Sequence, residues 1–251
     1  IAAGFLAIRH LLTPAEPILD LAIFRIRSYA TAVLWGSIAR AGIESVPYLS
    51  PLLFQIGFGL SAFHSGLLLL ITASGNLGMK IFVNPIMRRF GFRTVIVVNG
   101  VVVALTMLAF VWMTPGTPAP VLYAVLFAYG IARSLQLSTM STLSFADIPE
   151  PLKSSSSTVW STMQQVSIGM GIAFGAVCLR MANLAHASGD STGYSQFTVA
   201  DFHWAFAITA LVTVLPTFVY RRLPHDAGRS ITHAASKPSA ARSMARVRRR
   251  P

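Results

Sequence analysis

Acidic side chains are scarce in this chain: it holds eight Asp and Glu against 20 Lys and Arg in 251 residues. Charged residues of both signs amount to 11%, whereas 54% are hydrophobic, and a soluble domain carries about 25% charge. A water-facing globular surface is therefore excluded. The single cysteine, Cys178, allows neither an internal disulfide nor a cysteine-rich zinc site. His64, His186 and His203 fall at or beyond the ends of apolar runs without metal-ligand spacing, and there is neither a Gly-rich phosphate loop nor a Gly-x-Ser-x-Gly elbow. Neither ATP hydrolysis nor serine-enzyme chemistry is supported, so the chain is read as a non-enzyme with no metal and no cofactor. An intramembrane enzyme would need paired catalytic groups at one depth, and Glu44 is the only acid within the apolar runs.

What the sequence has instead is apolar runs of membrane-crossing length. Six are drawn, at Tyr29 to Gln55, Phe63 to Asn84, Thr94 to Met113, Pro120 to Leu143, Thr158 to Arg180 and Phe202 to Tyr220. At a helical rise of about 1.5 Å per residue each can cross a hydrocarbon layer of about 30 Å, and none alternates with the period of a barrel strand. The expected fold is an all-α integral membrane bundle in a lipid bilayer. Residues 1–8 read as the end of a preceding helix, which implies a fragment of a longer protein; residues 9–28 read as a cytoplasmic linker, 29–220 as the bundle and 221–251 as a tail.

Lys and Arg accumulate in loops that stay cytoplasmic. Arg9, Arg25 and Arg27 precede the first span, Arg88, Arg89 and Arg93 follow the second, Lys153 follows the fourth, and nine basic residues follow the sixth. The opposite loops, near Gly116 and Gly189, contain none. Both ends of the chain are expected in the cytoplasm. The tail is polar and basic, so it is expected to be disordered; anionic lipid or nucleic acid are conceivable ligands, but a solvated tail that enforces topology is preferred and no specific nucleic-acid partner is assigned.

Within the spans Arg40, Glu44 and Arg133 are the costly residues, at about 2.5–3.5 kcal/mol each near a bilayer centre. Arg40 and Glu44 are neighbours on one helix face, so a local ion pair is one reading of Glu44 and a proton or substrate site the other. Arg133 shares a stripe with Gln136 and Met140 on the most polar span, which favours a water-filled path. Counting from the expected span ends places Arg133 about two turns nearer the cytoplasm than Glu44, so Glu44 is expected to answer mainly to Arg40. Gln164 and Gln165 are about 100° apart on their helix, and only one can easily face a shared cavity. Lys80 is expected to snorkel to the interface as a structural residue. Gly171 and Gly175, extended by Ser167, form a small-residue stripe for close helix packing. Pro47 and Pro51 should free backbone carbonyls and kink the first span just beyond Glu44. Trp35, Tyr48 and Phe54 are candidate pocket walls or, more commonly for such residues, packing and interface anchors.

The short turn Arg88–Arg93 carries a resemblance. With Asn84 at its first position, it looks like the degenerate second copy of the Gly-x-x-x-Asp-Arg-x-Gly-Arg-Arg loop of the major facilitator superfamily: Arg89, Gly91 and Arg93 match, while Asn84, Arg88 and Phe92 depart from it. The stretches PILDLAIFRIRSYA, GLSAFHSGLLLL, ARSLQLSTMSTLSFADIPE and STMQQVSIGMGIAFGAV resemble the fourteen-helix drug:proton antiporter branch of that superfamily, from Pro17 to Val177. The resemblance implies the C-terminal six-helix bundle of a two-bundle transporter. Its partners would be a missing N-terminal bundle, a small-molecule substrate and protons. The implied activity is proton-coupled efflux of amphipathic compounds or drugs by alternating access. A truncated product that does not transport, and a transporter of small organic anions, are the alternatives.

Overall fold

A computed structural model describes residues 27–145, 148–149, 152–186 and 197–221. The expected helix end at 1–8, most of the linker, the outer loop near Gly189 and the tail beyond Arg221 lie outside the described residues. Six long helices occur among those described: α1 Arg27–Leu52, α2 Ala62–Phe90, α3 Phe92–Ala109, α4 Ala119–Phe145, α5 Lys153–His186 and α6 Val199–Tyr220. Five of them, α2 to α6, are long and apolar enough to cross a membrane. The sixth, α1, is of similar length but carries Arg40 and Glu44, which it buries against its neighbours. Large apolar side chains such as Ile81, Leu105, Phe127, Met170 and Leu211 are exposed on the outside of the bundle. An apolar girdle of this extent is stable only against lipid, and the protein is an integral membrane protein.

Helix ends are written locally. Gly91 separates α2 from α3 in one residue because it adopts φ +77°, a conformation that costs side-chain-bearing residues energy. Its N–H caps the Met87 carbonyl. Thr198 and Asp201 form a reciprocal capping box at the start of α6, and Asn183 of α5 donates to the same Asp201 carboxylate at 3.2 Å. The T-x-x-D pattern before an apolar run was a readable signal of this start.

Helix α1 continues through Pro47 and Pro51 and then loosens into a π-helical turn, Leu53–Gly57. Proline removes the hydrogen bond to the carbonyl four residues back, which for Pro47 is that of Ile43. The Tyr129 hydroxyl of α4 donates to the Ile43 carbonyl at 2.8 Å. The interruption expected from sequence thus becomes a contact between two helices.

Packing follows a repeated scheme. Helix α1 lies against α5 and α6, α4 lies against α2 and α3, α1 meets α4, and α3 meets α6. Exchanging α1–α3 for α4–α6 maps that set of contacts onto itself, the pattern of an inverted repeat. Glycine opens the tight crossings between the two halves. A Cβ on Gly130 would stand 2.1 Å from the Thr72 carbonyl oxygen, and one on Gly171 would stand 2.6 Å from that of Ala41. Two apolar clusters fill the bundle ends: one around Phe110, Phe202 and Phe206, the other around Tyr29, Met87 and Trp160. The charged residues lie between them.

Candidate functional site

Between the two apolar ends lies a cavity of about 470 Å³ lined by Arg40 and Glu44 of α1, Asn76 and Lys80 of α2, Arg133, Ser134, Leu137, Ser138, Ser141 and Thr142 of α4, and Gln164 of α5. Helices α3 and α6 contribute nothing to this lining. Leu137 is its single apolar member. A smaller cavity, of about 190 Å³, lies beside it and shares Asn76 and Arg133 in its wall, with Pro47, Phe110 and Tyr129 around it.

Glu44 is the electrostatic centre. Arg133 donates from one terminal nitrogen to its carboxylate at 2.7 Å, while the Arg40 guanidinium stands 3.9 Å away on the same helix. Arg40 is also held over the Trp160 ring, 5.9 Å from its centroid. The expectation that Glu44 answers mainly to Arg40 is corrected: its close partner is Arg133. The axial offset inferred from sequence was too large because α1 and α4 overrun the hydrocarbon thickness, at 26 and 27 residues, or about 40 Å each. The Tyr129 contact with Ile43 sets Tyr129, one turn from Arg133, level with the residue before Glu44. One turn, about 5.4 Å, is within the reach of an arginine side chain.

Glu44 is buried, at 7% exposure, and Arg133 is half-buried; a carboxylate there is tolerable only with a partner and hydrogen bonds. Arg133 keeps donors in reserve: its Nε is buried with no hydrogen-bond partner.

The other sequence candidates divide. Gln164 lines the cavity and Gln165 is exposed on α5. Gln136 does not join Arg133 in the cavity wall. It is 2% exposed, accepts from the Asn99 amide at 2.9 Å and donates to the Ile96 carbonyl at 3.2 Å. It is committed to the α3–α4 contact, because a step of three residues rotates it away from the stripe formed by 133, 137 and 141. Gly171 and Gly175 pack on α1, beside Glu44 and Ser45 respectively. Phe54 is in the core, Trp35 is exposed and Tyr48 packs near Gly175; none of them lines the cavity. In the basic turn, Arg89 lies over the Phe90 ring, and Arg93 donates to the Arg221 carbonyl at the end of α6. Basic side chains stabilise such carbonyl ends.

Asn76 was missed, and Lys80, expected as a structural residue at the interface, also lines the cavity. Lys80 is exposed along α2 but borders the cavity, and no acidic partner for it occurs among the described residues. The spacing of Asn76 and Lys80, one helical turn, was the available signal.

Residues 3–173 match the family model described as Major Facilitator Superfamily. The chain belongs to the major facilitator superfamily. Among curated proteins it is similar to the "Putative multidrug resistance protein MdtD" of Cronobacter sakazakii, 30% identical over 242 residues, which is 95% of this chain and 50% of that protein. The protein of the same description from Escherichia coli (strain K12) is 31% identical over 240 residues, 96% of this chain and 50% of the relative. The chain thus spans about half the length of the curated relatives it matches.

Proposed function

We propose that this chain is the C-terminal bundle of a secondary active transporter of the bacterial inner membrane, with both chain ends cytoplasmic, which exports small molecules in exchange for protons by alternating access. One observation carries the reading: a buried carboxylate held between two guanidinium groups in the wall of a polar cavity. Ionisable residues at such positions are expensive and mark substrate or proton pathways. Glu44 is the proton carrier. With Glu44 charged, Arg133 is tied to α1 and the two central helices are clamped. Protonation removes the charge that holds the clamp and leaves Arg133 free to turn toward a group of the facing bundle. The name of the curated relatives supports export, and their length supports a second bundle as the partner that completes the site.

The test is flux. The full-length transporter, reconstituted in vesicles with an imposed pH gradient, is expected to move substrate against its own gradient and to dissipate the proton gradient as it does so. Glu44→Gln should leave substrate exchange but abolish its coupling to protons. Uptake that responds to substrate and ignores pH in the unmodified protein would overturn the proton assignment.

A further inference from the structure

We infer that the cavity selects a small hydrophilic dianion, with its charge on carboxylate or phosphate groups, and rejects lipophilic cations. The inference rests on the transport reading for the cavity's role and goes beyond it in naming the substrate class. Arg40, Lys80 and Arg133 face one carboxylate, Glu44, an excess of two positive charges around a single space. No other acid lines that space. The excess is not consumed by ion pairing among the described residues, where Glu44 makes both of the salt bridges and Lys80 makes neither.

The walls agree with the charge. An amphipathic drug is held chiefly by apolar and aromatic surfaces, whereas here Asn76, Gln164 and the hydroxyls of Ser138 and Thr142 surround the space and Leu137 is the apolar exception. The neighbouring aromatic side chains Phe110 and Tyr129 line the smaller cavity on the far side of Arg133. Arginine presents a fork that matches carboxylate and phosphate oxygens, and the Arg133 fork is only partly used, one nitrogen going to Glu44 while Nε has no partner. Glu44 therefore takes up part of the positive charge with the protein's own carboxylate, and the remainder faces the cavity.

The full-length protein in lipid nanodiscs would be titrated calorimetrically with succinate, glycerol 3-phosphate, the neutral succinamide and the dication 1,4-diaminobutane. Succinate or glycerol 3-phosphate should bind, and the preference between them identifies the anionic group. Succinamide and diaminobutane should not bind. Arg133→Gln should weaken anion binding by about tenfold or more, the loss of a charge-assisted hydrogen bond. Arg133→Gln leaves a buried acid without its close partner and could misfold, so Lys80→Gln is the safer variant: exposed and without an ion-pair partner among the described residues, it should fold normally and still weaken succinate binding. Binding of diaminobutane in preference to succinate, or anion binding unchanged in a folded Lys80→Gln protein, overturns the inference. Proton-driven export of a cationic dye without anion binding would refute the anion site and leave the transport reading standing. Tight anion binding without any proton-coupled flux would uphold the site and refute that reading.

Discussion

On the α3 side of α4, Gln136 exchanges hydrogen bonds with Asn99 and the Ile96 carbonyl, Asn99 also donates to the Ala132 carbonyl, and the polar groups close on one another. On the α1 side of the same helix, Arg133 is shared between Glu44 and a cavity, and Ser138, Ser141 and Thr142 border that space. Both sides are polar, and both would read as pathway residues from composition. The difference is satisfaction: a buried polar group whose partners are all protein groups fastens helices together, whereas one with donors left over on a cavity wall can meet a ligand.

The comparison is broken most severely at Arg133. Arg133→Ala in the full-length transporter should abolish export while the protein still inserts, and this is read from vesicle flux beside membrane-fraction abundance. Export at the unmodified rate would reduce Arg133 to a fastener like Gln136. Next in size, Gly130→Val should prevent the α2–α4 crossing that places Asn76 opposite Arg133. A Cβ there meets the Thr72 carbonyl, and overpacking costs about 1–3 kcal/mol or more. The readout is a lowered melting temperature in detergent, with Gly78→Val, whose added Cβ meets nothing within 4 Å, as the tolerant control.

Smaller effects sharpen the contrast. Tyr129→Phe removes the donor that satisfies the Ile43 carbonyl freed by Pro47, and should cost about 1 kcal/mol in thermal stability. Gln136→Leu should cost about 0.6 kcal/mol, the average for an interhelical hydrogen bond in a membrane, with transport kept. If transport fell as far as it does in Arg133→Ala, the distinction between the two sides of α4 would collapse. Smallest of all, Gln165→Ala should leave substrate affinity unchanged, whereas Gln164→Ala should weaken it measurably in the same titration.

Much of the architecture was legible from local pattern. Apolar length marked the helices; the glycine at position 91 marked the reversal between α2 and α3, where φ is positive; the stripe of Gly171 and Gly175 marked a close crossing, which is the one with α1. The residues of the α6 capping box were also present in order, although their role was not recognised. These features depend on a residue and its near neighbours along one helix. The charged residues announced a site for an equally simple reason, since no lipid-facing helix retains Arg40, Glu44 and Arg133 without partners.

What tertiary structure decided was which of those groups meet. Periodicity gives the face on which a side chain lies, but not the axial register between two helices or the rotation of each about its own axis. Those were set by glycine-enabled crossings and by the Tyr129 contact with the carbonyl that Pro47 frees. A register difference of one turn, bridged by the arginine arm, gave Glu44 its close partner in Arg133 rather than Arg40. A rotation of α4 sent Gln136 to α3. The packing of α2 on α4 brought Lys80, which sequence alone assigned to the interface, to the wall of the cavity.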